Sequence, residues 1–275
     1  FYQIYEGATL LAGATPYYVD SDPARNFAPD YDAVPADVWR DVQLVYLCSP
    51  GNPTGAVLSL ADWKRLFDLS DEFGFVIASD ECYSEIYFDE EHAPLGALAA
   101  AHRLGRGFDR LVVFSSLSKR SNVPGMRSGF VAGDAAVLKK FLLYRTYHGC
   151  AMSPAVQAAS VAAWNDEAHV RLNRSKYLKK FQTVTPMLAD VLDVRLPDAG
   201  FYLWARVDTK TGLSDTEFTR QLLAQYNVAV LPGSYLGRAA HGTNPGENYV
   251  RIALVADVDE CTEGAQRIVQ FCQSL

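Results

Sequence analysis

Leu111-Val112-Val113-Phe114-Ser115-Ser116-Leu117-Ser118-Lys119-Arg120 is the stretch on which the fold turns. Four apolar residues run into serines and a lysine, and Asn122, Pro124 and Gly125 follow as turn formers. A short apolar run bounded in this way reads as a buried strand, here delivering one lysine. Lysine ammonium groups ordinarily stay in water, so Lys119 gains meaning only from what the rest of the chain sets beside it. Hydroxyls at Ser116 and Ser118, with a guanidinium at Arg127, are groups suited to cradling a phosphate.

Outward from this stretch the chain alternates strand and helix. Residues 4–12 predict a helix stopped by Gly13, residues 16–19 a strand, and residues 20–35 an acidic, proline-bearing loop. Residues 42–47 predict a buried strand that runs into Ser49-Pro50-Gly51-Asn52-Pro53-Thr54-Gly55, whose turn formers force a tight bend. Ser59 and Asp62 predict a capping box for a helix with Trp63, Leu66 and Phe67 on its apolar face, stopped by Gly74. Residues 75–78 predict the next strand, which delivers Asp80 and Tyr83.

Beyond Lys119, residues 127–132 predict a strand, Asp134 opens a helix to about residue 147, and residues 153–192 form a long helical pattern interrupted at most by Pro186. Strands at 194–196, 201–207, 228–231 and 249–254 then share a smaller α+β unit with a helix over 214–226 and a closing helix. The fold class is therefore α/β. A mostly parallel sheet belongs to a large domain over residues 1–160, and a small C-terminal domain over 161–275 is joined to it by the long helix. Ligands of parallel α/β sheets bind beyond the carboxyl ends of the strands. Three strands here end in polar groups: Asn52, Asp80 with Tyr83, and Ser116 with Lys119.

Composition narrows the partners. The 275 residues are 49% hydrophobic and 12% aromatic, enough for a packed core, and the net charge of −7 argues against nucleic acid. No apolar stretch approaches the ~18 residues of a membrane span. The cysteines at 48, 82, 150, 261 and 272 are odd in number and widely spaced, with no histidine at metal-ligand spacing. That usage fits a reduced, cytoplasmic compartment and no metal. Cys261 and Cys272 fall on the apolar stripe of the last helix with Ala265, Ile268 and Val269, a packing role.

The turn Asn52-Pro53-Thr54-Gly55, Asp80 with Tyr83, Ser116-Leu117-Ser118-Lys119 with Arg127, and Tyr249-Val250-Arg251-Ile252 together resemble class I/II aminotransferases of fold type I. The motifs stand in family order across essentially the whole chain. Ser128 is one departure, where many relatives carry an apolar residue, and it touches packing more than chemistry. The resemblance also implies an incomplete chain, because relatives carry upstream residues with a glycine-bearing phosphate loop and a tyrosine that reaches the neighbouring subunit's phosphate.

It implies pyridoxal 5′-phosphate as cofactor, amino acids and 2-oxo acids as substrates, and a homodimer in which residues 146–152 reach the partner's site. Lys119 would bind the cofactor and move the substrate's Cα proton. Asp80 would pair with the pyridine nitrogen, Asn52 and Tyr83 with the ring oxygen, and Ser116, Ser118 and Arg127 with the phosphate. Tyr2 would stack on the ring. Arg251 would take the substrate α-carboxylate, beside Asn52. The texture of residues 122–134 and 250–261 resembles the branch of the family that transaminates succinylated diaminopimelate in lysine biosynthesis, with glutamate as donor. Arg145, Arg238 and residues of the upstream segment stay open as readers of the distal end. Aspartate or acetylornithine transamination, a fold type I lyase and an aminotransferase-like regulator domain are the alternatives.

Overall fold

The computed structural model describes residues 2–149 and 151–275; Cys150 lies outside them. In chain order the helices and strands begin with α1 (Gln3–Leu11), α2 (Ala36–Asp41), β1 (Leu44–Cys48), α3 (Leu60–Phe73), β2 (Val76–Asp80) and α4 (Ala97–Arg103). There follow β3 (Leu111–Ser116), α5 (Leu117–Arg120), β4 (Gly129–Gly133), α6 (Ala135–His148), α7 (Pro154–Trp164) and α8 (Ala168–Ala189). The chain closes with β5 (Tyr202–Arg206), α9 (Asp208–Thr211), α10 (Asp215–Tyr226), β6 (Leu231–Pro232), β7 (Tyr249–Ala253) and α11 (Val258–Gln273).

Two compact units result. The lysine-bearing unit comprises Asp30–Pro50 and Val57–Arg174; the terminal unit comprises Phe1–Pro29, Gly51–Ala56 and Ser175–Leu275. The boundary expected at residues 160/161 differs from this division, which falls inside α8 between Arg174 and Ser175. Hydrogen bonds explain why early residues cluster with late ones. Arg238 grips Glu6 at 2.6 Å, Asn26 bonds Asp198 at 2.7 Å, and Ala199 donates its N–H to Gly55 O at 3.1 Å.

In the lysine-bearing unit, β1, β2 and β3 run parallel and β4 closes the sheet antiparallel to β3. Register sets Cys48 beside Asp80 and Asp80 beside Phe114, so β1 and β2 end level while β3 runs two residues further, to Ser116. The predicted capping box starts α3: Asp62 N–H donates to Ser59 Oγ at 3.2 Å, and the Asp62 carboxylate accepts from Ser59 N–H at 2.9 Å. Gly74 ends it at φ 83°, a left-handed position that favours glycine. Trp63, Leu66, Phe67, Ile77 and Leu111 are buried, each contributing about 1.5–3 kcal/mol of apolar transfer.

In the terminal unit the strand order is β5-β7-β6, all antiparallel. Alternation buries Leu203, Ala205, Val250 and Ile252 on one face and places Tyr202, Trp204, Tyr249 and Arg251 on the other. Phe218 of α10 and Phe271 of α11 meet edge to face at 5.2 Å. Cys261 and Cys272 lie partly buried on α11, their thiols pushed up by burial, Cys272 to about 11.

Several elements differ from expectation. Residues 16–19 join neither sheet, and the nearest pairing is an isolated bridge between Ser21 and Pro29; Pro16 has no N–H to offer a ladder. Residues 194–196 likewise form no strand, only a bridge between Asp193 and Arg206. The strand expected at 228–231 reduces to Leu231–Pro232, which pair with Arg251 and Val250. The long helix is broken at 165–167 rather than at Pro186, which lies inside α8; Asp166 Oδ1 accepts from Ala168 N–H at 2.8 Å, a local turn that leads into α8. Helix α4 was not expected. Among the described residues no helix is long and apolar enough to cross a membrane.

Candidate active site

Ser116, the last residue of β3, turns the chain into α5 by accepting a hydrogen bond from Ser118 N–H at 3.3 Å. Leu117 is fully buried beneath that turn, and Lys119 is half-buried. Asp80, the last residue of β2, accepts from Cys82 N–H at 3.1 Å, which bends the chain as it leaves the sheet. The Cys82 thiol lies 3.4 Å from Ser116 Oγ. Burial pushes that thiol up to about 12, helped by the negative charge of Asp80 and opposed by the Ser116 hydroxyl and the positive charge of Lys119. Cys82 thus touches both strand ends, Asp80 through its N–H and Ser116 through its thiol.

Two carboxylates are adjacent here, and they do different work. Glu81 accepts from Ala97 N–H at 2.7 Å and from Ser79 Oγ at 3.0 Å, so it caps α4; burial raises its carboxyl above the usual range. Asp80 remains at the strand end. Tyr83 is buried three residues on. Arg127 is exposed at φ 53° and donates from Nη1 to Pro124 O at 2.8 Å, while Ser128 is buried and accepts from Ser160 Oγ at 2.8 Å. The hydroxyl at 128 is therefore satisfied inside the packing.

The terminal unit holds a second group of expected residues. Gly51 N–H bonds Ala56 O at 2.9 Å and Gly55 N–H bonds Gly51 O at 2.8 Å, closing the turn that presents Asn52. Gly55 is required there: at φ 70° a Cβ would meet Ala199 O at 2.4 Å. Arg251 Nη1 donates to Asn52 Oδ1 at 2.9 Å, and its guanidinium lies 4.4 Å from the centre of the Tyr202 ring. Tyr2 precedes α1 with its ring edge-on to Tyr5 at 6.0 Å, and it is exposed.

Cys82 and Tyr202 belong to these two groups and were not singled out from sequence. Tyr202 carried a usable signal: two positions before Trp204, the register partner of Arg251, it shares the arginine's face of the sheet. Cys82 carried none, since a thiol between Asp80 and Tyr83 reads as packing.

The class I and II aminotransferase family model matches residues 1–268. The chain is 32% identical over 272 residues to an LL-diaminopimelate aminotransferase of Nitratidesulfovibrio vulgaris, covering 98% of this chain and 67% of that protein. Among solved structures, an aminotransferase from Neisseria meningitidis is 56% identical with a TM-score of 0.93, covering 98% of this chain and 68% of that one. A probable N-succinyldiaminopimelate aminotransferase from Thermus thermophilus is 28% identical with a TM-score of 0.85, covering 98% and 69%. This chain therefore spans about two thirds of the length of the relatives it matches. Every residue of both groups falls inside the family match, and the chain belongs to the class I and II aminotransferases, pyridoxal-phosphate-dependent proteins of fold type I.

Proposed function

We propose that this chain transfers an amino group from glutamate to N-succinyl-2-amino-6-oxopimelate, forming N-succinyl-LL-2,6-diaminopimelate in lysine biosynthesis. The observation that carries the transaminase chemistry is that Asp80 and Ser116 close neighbouring parallel strands and are bridged by Cys82, whose N–H bonds Asp80 at 3.1 Å and whose thiol lies 3.4 Å from Ser116 Oγ, with Lys119 on the turn that follows Ser116. An amine, a carboxylate and a hydroxyl at the ends of parallel strands fit a phosphorylated pyridine ring. When bound, pyridoxal phosphate supplies an electron sink for the bonds at the substrate's Cα.

The chain's own groups take the following parts. The Lys119 amine holds the cofactor and moves the proton at the substrate Cα, first as base and then as acid. Asp80 holds the proton on the pyridine nitrogen, because an adjacent carboxylate favours the charged form. Ser116, Ser118 and Arg127 hold the phosphate, and Asn52 and Tyr83 donate to the ring oxygen. Asn52 accepts from Arg251 Nη1 through its carbonyl end. Tyr2 stacks on the ring. Arg251 takes the α-carboxylate through its fork. Arg238, one of the two arginines considered for the distal end, is engaged by Glu6; Arg145 lies over the Phe141 ring. The working form is a homodimer.

The substrate reading is supported by the texture of residues 122–134 and 250–261 and by the likeness to the Thermus protein. A second reading, unsubstituted LL-diaminopimelate, is favoured by the name of the relative at 32% identity. The test compares kcat/KM of the loaded full-length enzyme for N-succinyl-LL-diaminopimelate, LL-diaminopimelate, N-acetylornithine and aspartate at fixed 2-oxoglutarate. Highest efficiency with the succinylated compound upholds the proposal, and with LL-diaminopimelate it moves to the second reading. A preference for aspartate or acetylornithine rejects both.

A further inference from the structure

A lysine that must reach a fixed atom is only as well placed as the turn that carries it, and α5 is a single turn of four residues. So short a helix has too few internal hydrogen bonds to hold its own position. Leu117 seats one end. The other end is Arg120, the residue after Lys119, with a side chain only 3% exposed.

Arg120 is held by residues 163–167. Nη1 donates to Ala163 O at 2.8 Å, and Nη2 donates to Trp164 O at 3.5 Å and to the Glu167 carboxylate. Its guanidinium also lies 4.9 Å from the Trp164 ring centre. Ala163 and Trp164 are in the last turn of α7, where carbonyls lack partners within the helix and partial negative charge collects. A cation is matched to that place, and the planar fork of arginine serves several acceptors at once where a lysine cannot.

The anchor is tied back to the sheet. The Trp164 ring meets Phe130 of β4 at 5.2 Å, and Phe130 is the register partner of Ser115 on β3. A closed circuit therefore runs from β3 through α5 to Arg120, across Trp164 to β4, and back to β3. Just downstream, Ser121 Oγ bonds His169 Nε2 and Asn122 Nδ2 bonds Asn173 Oδ1, each at 2.8 Å, so the chain leaving α5 is braced as well.

We propose that Arg120 is a positioning residue for Lys119: clamped on the end of α7, it fixes the single turn that presents the lysine amine. This rests on Lys119 being the cofactor lysine. The experiment uses the full chain loaded with pyridoxal 5′-phosphate and the variants Arg120→Lys and Glu167→Gln. Four quantities are read: cofactor Kd, the pH midpoint of the bound cofactor's visible absorption band, kcat with KM, and the thermal midpoint. Arg120→Lys should weaken cofactor binding about tenfold, move the pH midpoint by about half a unit, and lower kcat roughly tenfold to hundredfold with KM little changed. Glu167→Gln, at a half-exposed partner, should shift the same readings less in the same direction. Parent-like Kd, pH midpoint and kcat in both variants, with only the thermal midpoint lowered, would overturn the proposal. Should Arg120→Lys fail to fold, Glu167→Gln decides on the same readings. Borohydride reduction and peptide mapping of the parent tests the cofactor lysine separately, so a misassigned Lys119 is told apart from an idle Arg120.

Discussion

Arg251 sits on the half-exposed face of β7, bonded to Asn52 and resting on Tyr202, so removing it leaves a defined defect. A charge-assisted hydrogen bond contributes about 1.5–3 kcal/mol. Arg251→Ala should accordingly raise KM for amino donors by roughly tenfold to hundredfold, and Arg251→Lys should recover only part, since lysine lacks the fork. Steady-state kinetics check this; an unchanged KM removes Arg251 from the substrate site. Asp80→Ala should keep the cofactor bound yet slow proton removal by roughly 10²- to 10³-fold, as loss of one well-placed electrostatic partner does. Near-normal single-turnover rates would refute that role. Borohydride reduction should label Lys119, and a label on Lys64 or Lys139 would displace it. Charged groups closing strand patterns were legible because a chain does not bury such groups without partners. Arg120 and Cys82 were not, because their surroundings are set by residues far along the chain, Trp164 for Arg120 and Ser116 for Cys82; Tyr202 was missed although its place on the face of Arg251 gave a signal.

Among the elements, α3 owes its start to Ser59 and its end to Gly74. Ser59→Ala should cost about 1 kcal/mol, seen as a fall of ~2–4 °C in Tm. Helix α4 is held differently. Its N-cap, Gly96, has no side chain, and Glu81 caps it from 16 residues away. That is why the alanine-rich run 97–103 gave no local sign of a helix, whereas the Ser59 and Asp62 pair announced α3. Residues 16–19 show the converse: strand-like residues form no strand without a neighbour to bond. The Glu81 carboxyl is raised by burial above its ordinary value of 4.5. The folded chain then holds this proton more tightly than the unfolded one, so Glu81 contributes fully below that ordinary value and its contribution is lost as pH rises through the raised one. Glu81→Gln keeps an acceptor for Ala97 N–H and carries no charge. Its stability relative to the parent should therefore grow as pH rises from acid to neutral, read from urea midpoints. A gap that stays constant with pH would show that burial of the charge is not what α4 bears.

On the scale of the whole molecule, α6 is the longest described helix with no buried residue, and Leu142, Leu143, Tyr144 and Tyr147 are all more than half exposed. Apolar exposure of that extent is suited to association. The full-length protein should sediment as a dimer; a fully active monomer would remove the proposed assembly. The division into units has another consequence, one for inheritance. The chain passes between units at Pro29/Asp30, Pro50/Gly51, Ala56/Val57 and Arg174/Ser175, and the terminal unit draws on both ends of the sequence. No contiguous piece of the gene encodes that unit. A single recombination event between two relatives, anywhere from codon 52 to codon 251, brings Asn52 from one parent and Arg251 from the other, so these two residues must stay mutually compatible across lineages for any such chimera to keep the 2.9 Å bond between them.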